Sequence, residues 1–162
     1  MTEAHKTEVK SGNNHYSGQP GSQARFFSFA HPPATDLKRA VVPVVNTDIM
    51  VGQFQIMNKG GELQLHSHTG MDGWWMVLKG RVRFYGPEQD TLTAECGPME
   101  GVFVPRNVPY WFEAVGDEQV HILQVESIDN RVENKFIAHG ARVPGSGPAP
   151  RVYLKGEEPA KA

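Results

Sequence analysis

The chain has 162 residues, 39% hydrophobic and 21% charged, with 16 Lys plus Arg against 18 Asp plus Glu. This is enough for one buried core and too apolar for disorder throughout, and a net charge of -2 gives no field that draws nucleic acid or an anionic membrane. A single cysteine, Cys96, excludes an internal disulfide framework, and no apolar run approaches the ~18 residues of a membrane span.

Residues 1–24 are rich in Ser, Gly, Asn, Gln and Lys and read as a flexible arm. Their opening, Met1-Thr2-Glu3-Ala4-His5-Lys6, is polar and does not read as a signal peptide, so the expected setting is cytoplasmic. From residue 25 to 140 the pattern is β throughout. Val41-Val42-Pro43-Val44-Val45 is an apolar strand and a candidate exchanged edge. In 50–57 apolar and polar residues alternate.

Leu63 to His68 also alternate, which predicts Gln64, His66 and His68 on one face and Leu63, Leu65 and Ser67 on the other. Further strands are expected at 74–78, 82–85, 91–94, 102–104, 110–114 and 120–126, separated by Gly and Pro turns. Many short strands with no helical periodicity argue for an antiparallel sandwich or barrel. The last segment, 141–162, carries four prolines and cannot be a regular core element, although Val152-Tyr153-Leu154 is apolar enough to dock.

Two imidazoles two residues apart on a strand project to the same side. A pair so placed suits a divalent metal, and equally suits two surface histidines on a polar face. Gly60, His66, His68 and Gly80 resemble the first motif of the cupin superfamily, which runs Gly, five residues, His-x-His, three or four residues, Glu, six residues, Gly. Counted back from Gly80, the Glu position is Gly73. Pro105-Arg106-Asn107 is similar to the Pro-x-Gly of the second motif, with Asn107 taking the positive φ that glycine supplies. In this register Tyr110 stands where the family has His, and Ala114 where it has Asn.

The resemblance implies an all-β jelly-roll barrel of the cupin type, a homodimer, and a metal site of which this chain keeps only His66 and His68. Asp72, beside the Glu position, Tyr110, as ligand or acid/base, and His121, on the last expected strand, are the candidates to complete it. With Fe, Mn, Ni or Zn held there, the implied chemistry is oxygenation, or isomerisation or elimination at a carbonyl. A metal-free isomerase or epimerase using a histidine with Tyr110, and a non-catalytic ligand-binding barrel, are the alternatives. In each, Gln64, Trp75 and Phe112 would line the site for a small, partly apolar molecule. Arg81, Arg83 and Arg106 read either as acid-binding groups or as a solvated face.

Overall fold

The computed structural model of the chain describes residues 23–141 and 149–154. Most of the expected arm and tail lies outside these residues. The described residues contain ten strands: β1 (Arg39–Asn46), β2 (Met50–Met57), β3 (His66–His68), β4 (Met71–Lys79), β5 (Val82–Tyr85), β6 (Leu92–Cys96), β7 (Gly101–Val104), β8 (Trp111–Ala114), β9 (Val120–Ile128) and β10 (Phe136–Ala138). Among them no helix is long and apolar enough to cross a membrane.

A five-stranded sheet runs in the order β1-β2-β9-β4-β7, with every pair antiparallel. Facing it are the three-stranded sheet β6-β5-β8 and the pair β10-β3. These two are stitched together where His66 and Tyr110 exchange backbone hydrogen bonds of 3.1 and 2.9 Å. The inward residues Met57, Trp75, Val77, Val82, Phe84, Phe112, Val120 and Ile122 form one continuous core. Burying a large apolar side chain fully contributes about 1.5–3 kcal/mol, so this cluster is the main source of stability.

The outer face of the five-stranded sheet is also apolar. Val42, Val44, Phe54 and Ile56 form a second cluster on it, joined by Phe29, Val152 and Leu154. Phe29 stacks on Phe54 with ring centroids 4.0 Å apart. The apolar patch of the tail therefore docks on the body of the same chain. Its neighbour Arg151 bridges to Val41 in parallel, where the Val41 N–H donates to Pro150 O at 3.0 Å and the Val152 N–H to Val41 O at 2.9 Å. The edge of β1, expected to be open, is thus covered at its centre by the chain's own C-terminal segment.

Candidate functional site

The inward rows of the five-stranded sheet change character along their length. On β2 the row reads Gln53, Gln55, then buried Met57; on β9 it reads buried Val120 and Ile122, then Gln124 and Glu126. At the polar end the strands do not close on one another. A cavity of about 550 Å³ opens there, lined by Arg39, Val41, Gln53, Gln55, Leu63, His66, His68, Tyr110, Phe112, Gln124, Glu126, Phe136, Ala149 and Arg151. At ~30 Å³ per water molecule in the liquid, that is room for a small organic molecule rather than for an ion and its waters alone.

His66 and His68 both face this cavity, as their spacing predicts, with ring centroids 5.3 Å apart. His66 is packed between Tyr110 and Phe136, whose ring centroids lie 4.5 and 4.7 Å from its own. Its Nδ1 lies 2.8 Å from Gln64 O. A carbonyl only accepts, so Nδ1 carries the proton of the neutral ring and the lone pair sits on Nε2. Burial, only partly offset by that hydrogen bond, pulls the His66 pKa down to about 4, and burial lowers that of His68 as well.

Tyr110 is buried with them, and burial together with the nearby Glu126 charge pushes its phenol well above its usual range. Asn107 has φ 65, as the second motif requires, and its N–H donates to His68 O at 2.8 Å. The turn so formed holds β3 and the start of β8 side by side.

Three of the expected residues stand elsewhere. Asp72 is absent from the cavity wall: its Oδ2 accepts from Arg106 Nη2 at 2.8 Å and its Oδ1 from the Arg106 backbone N–H at 2.8 Å, and the Arg106 hydrogen bonds hold its carboxyl below the usual range. Arg106 also pairs with Asp129, so it is a structural tie rather than a ligand-binding group. His121 lies on the outer face, because Ile122, Gln124 and Glu126 take the inward positions of β9. Its ring meets Phe29 edge-on at 5.3 Å, and its Nε2 lies 3.1 Å from Gln119 Oε1. Gln64 is not among the residues of the cavity wall, and its carbonyl holds His66; regular pairing begins at His66 and alternation does not extend back to Leu63, which does line the wall.

Phe112 lines the cavity as expected, whereas Trp75 backs it from the core, packed against Tyr110 at 4.7 Å. Arg81 and Arg83 both pair with Glu95 at the surface.

The carboxylate missing from the first motif reappears on the neighbouring strand. Gly73 is paired with Glu126 across the β4–β9 ladder. A Cβ at Gly73 would come 3.1 Å from Glu126 Cγ and 2.6 Å from the Trp75 ring, so the space a side chain would use is filled by these two. Glu126 is 6% exposed, and burial raises its carboxyl above the ordinary value. Beside it three glutamines form an amide cluster, in which Gln53 and Gln55 donate to Gln124 Oε1 at 2.9 and 2.5 Å. Arg39, Gln53, Gln55, Gln124, Glu126 and Phe136 were not anticipated as site residues. The signal for four of them was present as Gln-x-Gln in β2 and Gln-x-Glu in β9, polar pairs at strand spacing inside apolar strands.

A resident metal of the family's kind needs three histidines and a glutamate. Among the described residues no group of three His, Cys, Asp or Glu side chains is placed to hold an ion. Two guanidinium groups share the cavity with the imidazoles. This donor set does not form the family's cage.

Residues 53–126 match the family model described as cupin domain. Similar solved structures include an uncharacterized conserved protein with a double-stranded beta-helix domain from Klebsiella pneumoniae, at 15% identity and TM-score 0.59, covering 71% of this chain and 98% of that one. Another is an RmlC-like cupin protein from Desulfovibrio desulfuricans, at 19% identity and TM-score 0.56, covering 65% and 97%. A third is the cupin domain of Schizosaccharomyces pombe Cnp3, at 15% identity and TM-score 0.56, covering 68% and 80%. At these identities the likeness is one of fold, and no curated protein matches the chain. Strand order, motif and family match agree, and residues 53–126 form a cupin domain.

Proposed function

We propose that this cupin is an enzyme that moves a proton next to the carbonyl of a small, partly apolar organic molecule, giving isomerisation or elimination. The observation that carries the reading is Glu126, which enters the cavity of His66, His68 and Tyr110 opposite the side-chain-less Gly73. Burial makes its carboxylate a stronger base than a solvated one and brings its titration closer to neutrality, where general-base catalysis is most effective. Glu126 takes the proton from the carbon beside the carbonyl, the C–H electron pair becomes a carbon–carbon double bond, and the carbonyl π pair moves onto the oxygen. Tyr110, kept neutral by its burial, donates a hydrogen bond to that developing oxyanion. His66 stays neutral and offers its Nε2 lone pair to a substrate hydroxyl. Returning the proton from Glu126 to a different carbon completes an isomerisation; loss of a leaving group instead completes an elimination.

The test uses protein treated with a chelator, incubated in D2O with a panel of aryl and cyclic ketones and 2-keto acids. Deuterium should enter beside the carbonyl faster than in buffer, and Glu126→Gln should abolish the excess. Binding without any exchange would mean a ligand-binding barrel and would overturn the enzymatic reading.

A metal-assisted reading has one observation in its favour: His68 Nδ1 is buried with no hydrogen-bond partner among the described residues, as an unused ligand nitrogen would be. Metal analysis of untreated protein decides it, since close to one transition metal per chain, lost in the His66→Ala, His68→Ala double variant, would favour it. The homodimer implied by the family would then use β7, which ends the five-stranded sheet and exposes Phe103 next to Trp74. A compact monomer in gel filtration would count against it.

A further inference from the structure

We propose that the ligand of this cavity carries a hydroxyl group as well as its carbonyl, and that Gln55 Oε1 accepts a hydrogen bond from that hydroxyl; this deepens the proton-transfer reading above and rests on it. Gln55 lies on the cavity wall and is 5% exposed. Its Oε1 is buried with no hydrogen-bond partner among the described residues. A buried carbonyl oxygen without a donor costs stability, and nearly all such oxygens in proteins have one. A side chain that bears this cost on the wall of a cavity fits a ligand that supplies the donor.

The chemistry of the amide cluster fixes which atom of Gln55 is left over. A hydrogen bond with Gln124 favours the ionised form of Glu126. A carboxylate only accepts, so Gln124 presents its Nε2 to Glu126. Its Oε1 is left for β2, where it accepts from Gln53 Nε2 at 2.9 Å and from Gln55 Nε2 at 2.5 Å. Turning the Gln55 amide over would set two carbonyl oxygens against each other. The Gln55 oxygen is therefore held as an acceptor with Gln124 alone between it and Glu126, so a small molecule whose acidic carbon meets Glu126 can reach Gln55 with a hydroxyl. A hydroxyl suits this position better than an ammonium, because it donates to Oε1 and can accept in turn from a second amide N–H, whereas an ammonium only donates. His66 Nε2, the lone-pair side of a ring whose Nδ1 is bound to Gln64 O, is a further acceptor on the same wall. The wall thus favours a hydroxy ketone over a bare ketone.

The experiment is calorimetric titration of the full chain with α-hydroxyacetophenone and meta-(hydroxymethyl)acetophenone, each beside its methyl ether, with acetophenone, and with meta-(aminomethyl)acetophenone, an ammonium at neutral pH. The tighter of the two alcohols should bind about tenfold more tightly than its ether and than acetophenone. Gln55→Leu should reduce that preference to about twofold or less, and Gln53→Leu, which leaves Gln55 Oε1 in place, should keep it. If Gln55→Leu does not fold, the ranking of the ketones on the wild type decides. Equal binding of alcohols, ethers and acetophenone would overturn hydroxyl recognition while leaving the small-molecule cavity standing. A preference that survives in folded Gln55→Leu would overturn the assignment to Gln55. Tighter binding of the ammonium would overturn the choice of hydroxyl. Failure of every ketone to bind would overturn both this inference and the reading on which it rests.

Discussion

The two ends of the barrel interior are built on the same strands and do opposite things. At one end the inward rows carry Met57, Val77, Val82, Phe84, Val120 and Ile122, all buried and in contact. At the other the same rows carry Arg39, Gln53, Gln55, Gln124 and Glu126 around a cavity. Close packing stabilises the first end, whereas the second spends stability on buried polar groups, among them Gln55 Oε1 and His68 Nδ1 with no partner among the described residues. The contrast shows that a strand's inner row is not one environment, and that function sits where it turns from apolar to polar.

Several substitutions break or sharpen this contrast. Phe84→Ala at the apolar end removes a fully buried ring and should cost about 3–5 kcal/mol, read as a large fall in the denaturation midpoint. Gln55→Leu at the polar end should change stability by less than about 1.5 kcal/mol while weakening ligand binding. Comparable losses at the two positions would erase the distinction.

The next effect is a pH dependence carried by His66. Its proton affinity is lowered in the folded state, to a pKa of about 4 from 6.5. Between those values the unfolded chain takes up a proton that the folded chain refuses, so acidification from pH 6.5 towards 4 destabilises the fold, and below 4 this loss levels off. At 1.36 kcal/mol per pKa unit the difference is of order 3 kcal/mol. Glu126, whose affinity is raised, contributes in the opposite sense, because the folded chain holds its proton to higher pH. Subtracting the stability profile of His66→Gln from that of the wild type isolates the imidazole contribution, and a flat difference between pH 6.5 and 4 would contradict its burial.

Gly73→Ala comes third. Its methyl would meet the Trp75 ring at 2.6 Å and Glu126 Cγ at 3.1 Å, and overpacking of this sort costs about 1–3 kcal/mol. Any enzymatic activity should fall further than stability, since the carboxylate has to move. Smallest is Asp72→Asn: the pair with Arg106 is partly exposed, so about 1 kcal/mol or less is expected, with ligand binding unchanged. Lost binding would return Asp72 to the site.

Much of the fold was legible because alternation is a local property. The strands at 50–57 and 82–85 coincide with β2 and β5, and Asn107 adopts the positive φ its place in the turn demands. His66 and His68 were legible for the same reason. β10 was not, since three exposed residues, Phe136–Ala138, show no alternation of burial and owe their pairing to β3. Alternation also cannot say which face of a doubly covered sheet looks inward. In β2 the apolar row Phe54 and Ile56 faces Phe29, Val152 and Leu154, and the polar row Gln53 and Gln55 faces the cavity. The pairing of Gly73 with Glu126 depends on long-range register, and Asp72 was drawn off by Arg106, a partner distant in sequence.

The account depends most on Glu126 being a buried carboxyl inside the polar cavity. Titrating its side-chain carbon by NMR in labelled protein tests this directly. A midpoint clearly above 4.5, the ordinary value for a glutamate, is the result expected of a carboxyl that shares a closed space with Tyr110 and the glutamines. A midpoint at or below that value would place the carboxylate in water or against a cation, and the proton-transfer site would lose its base.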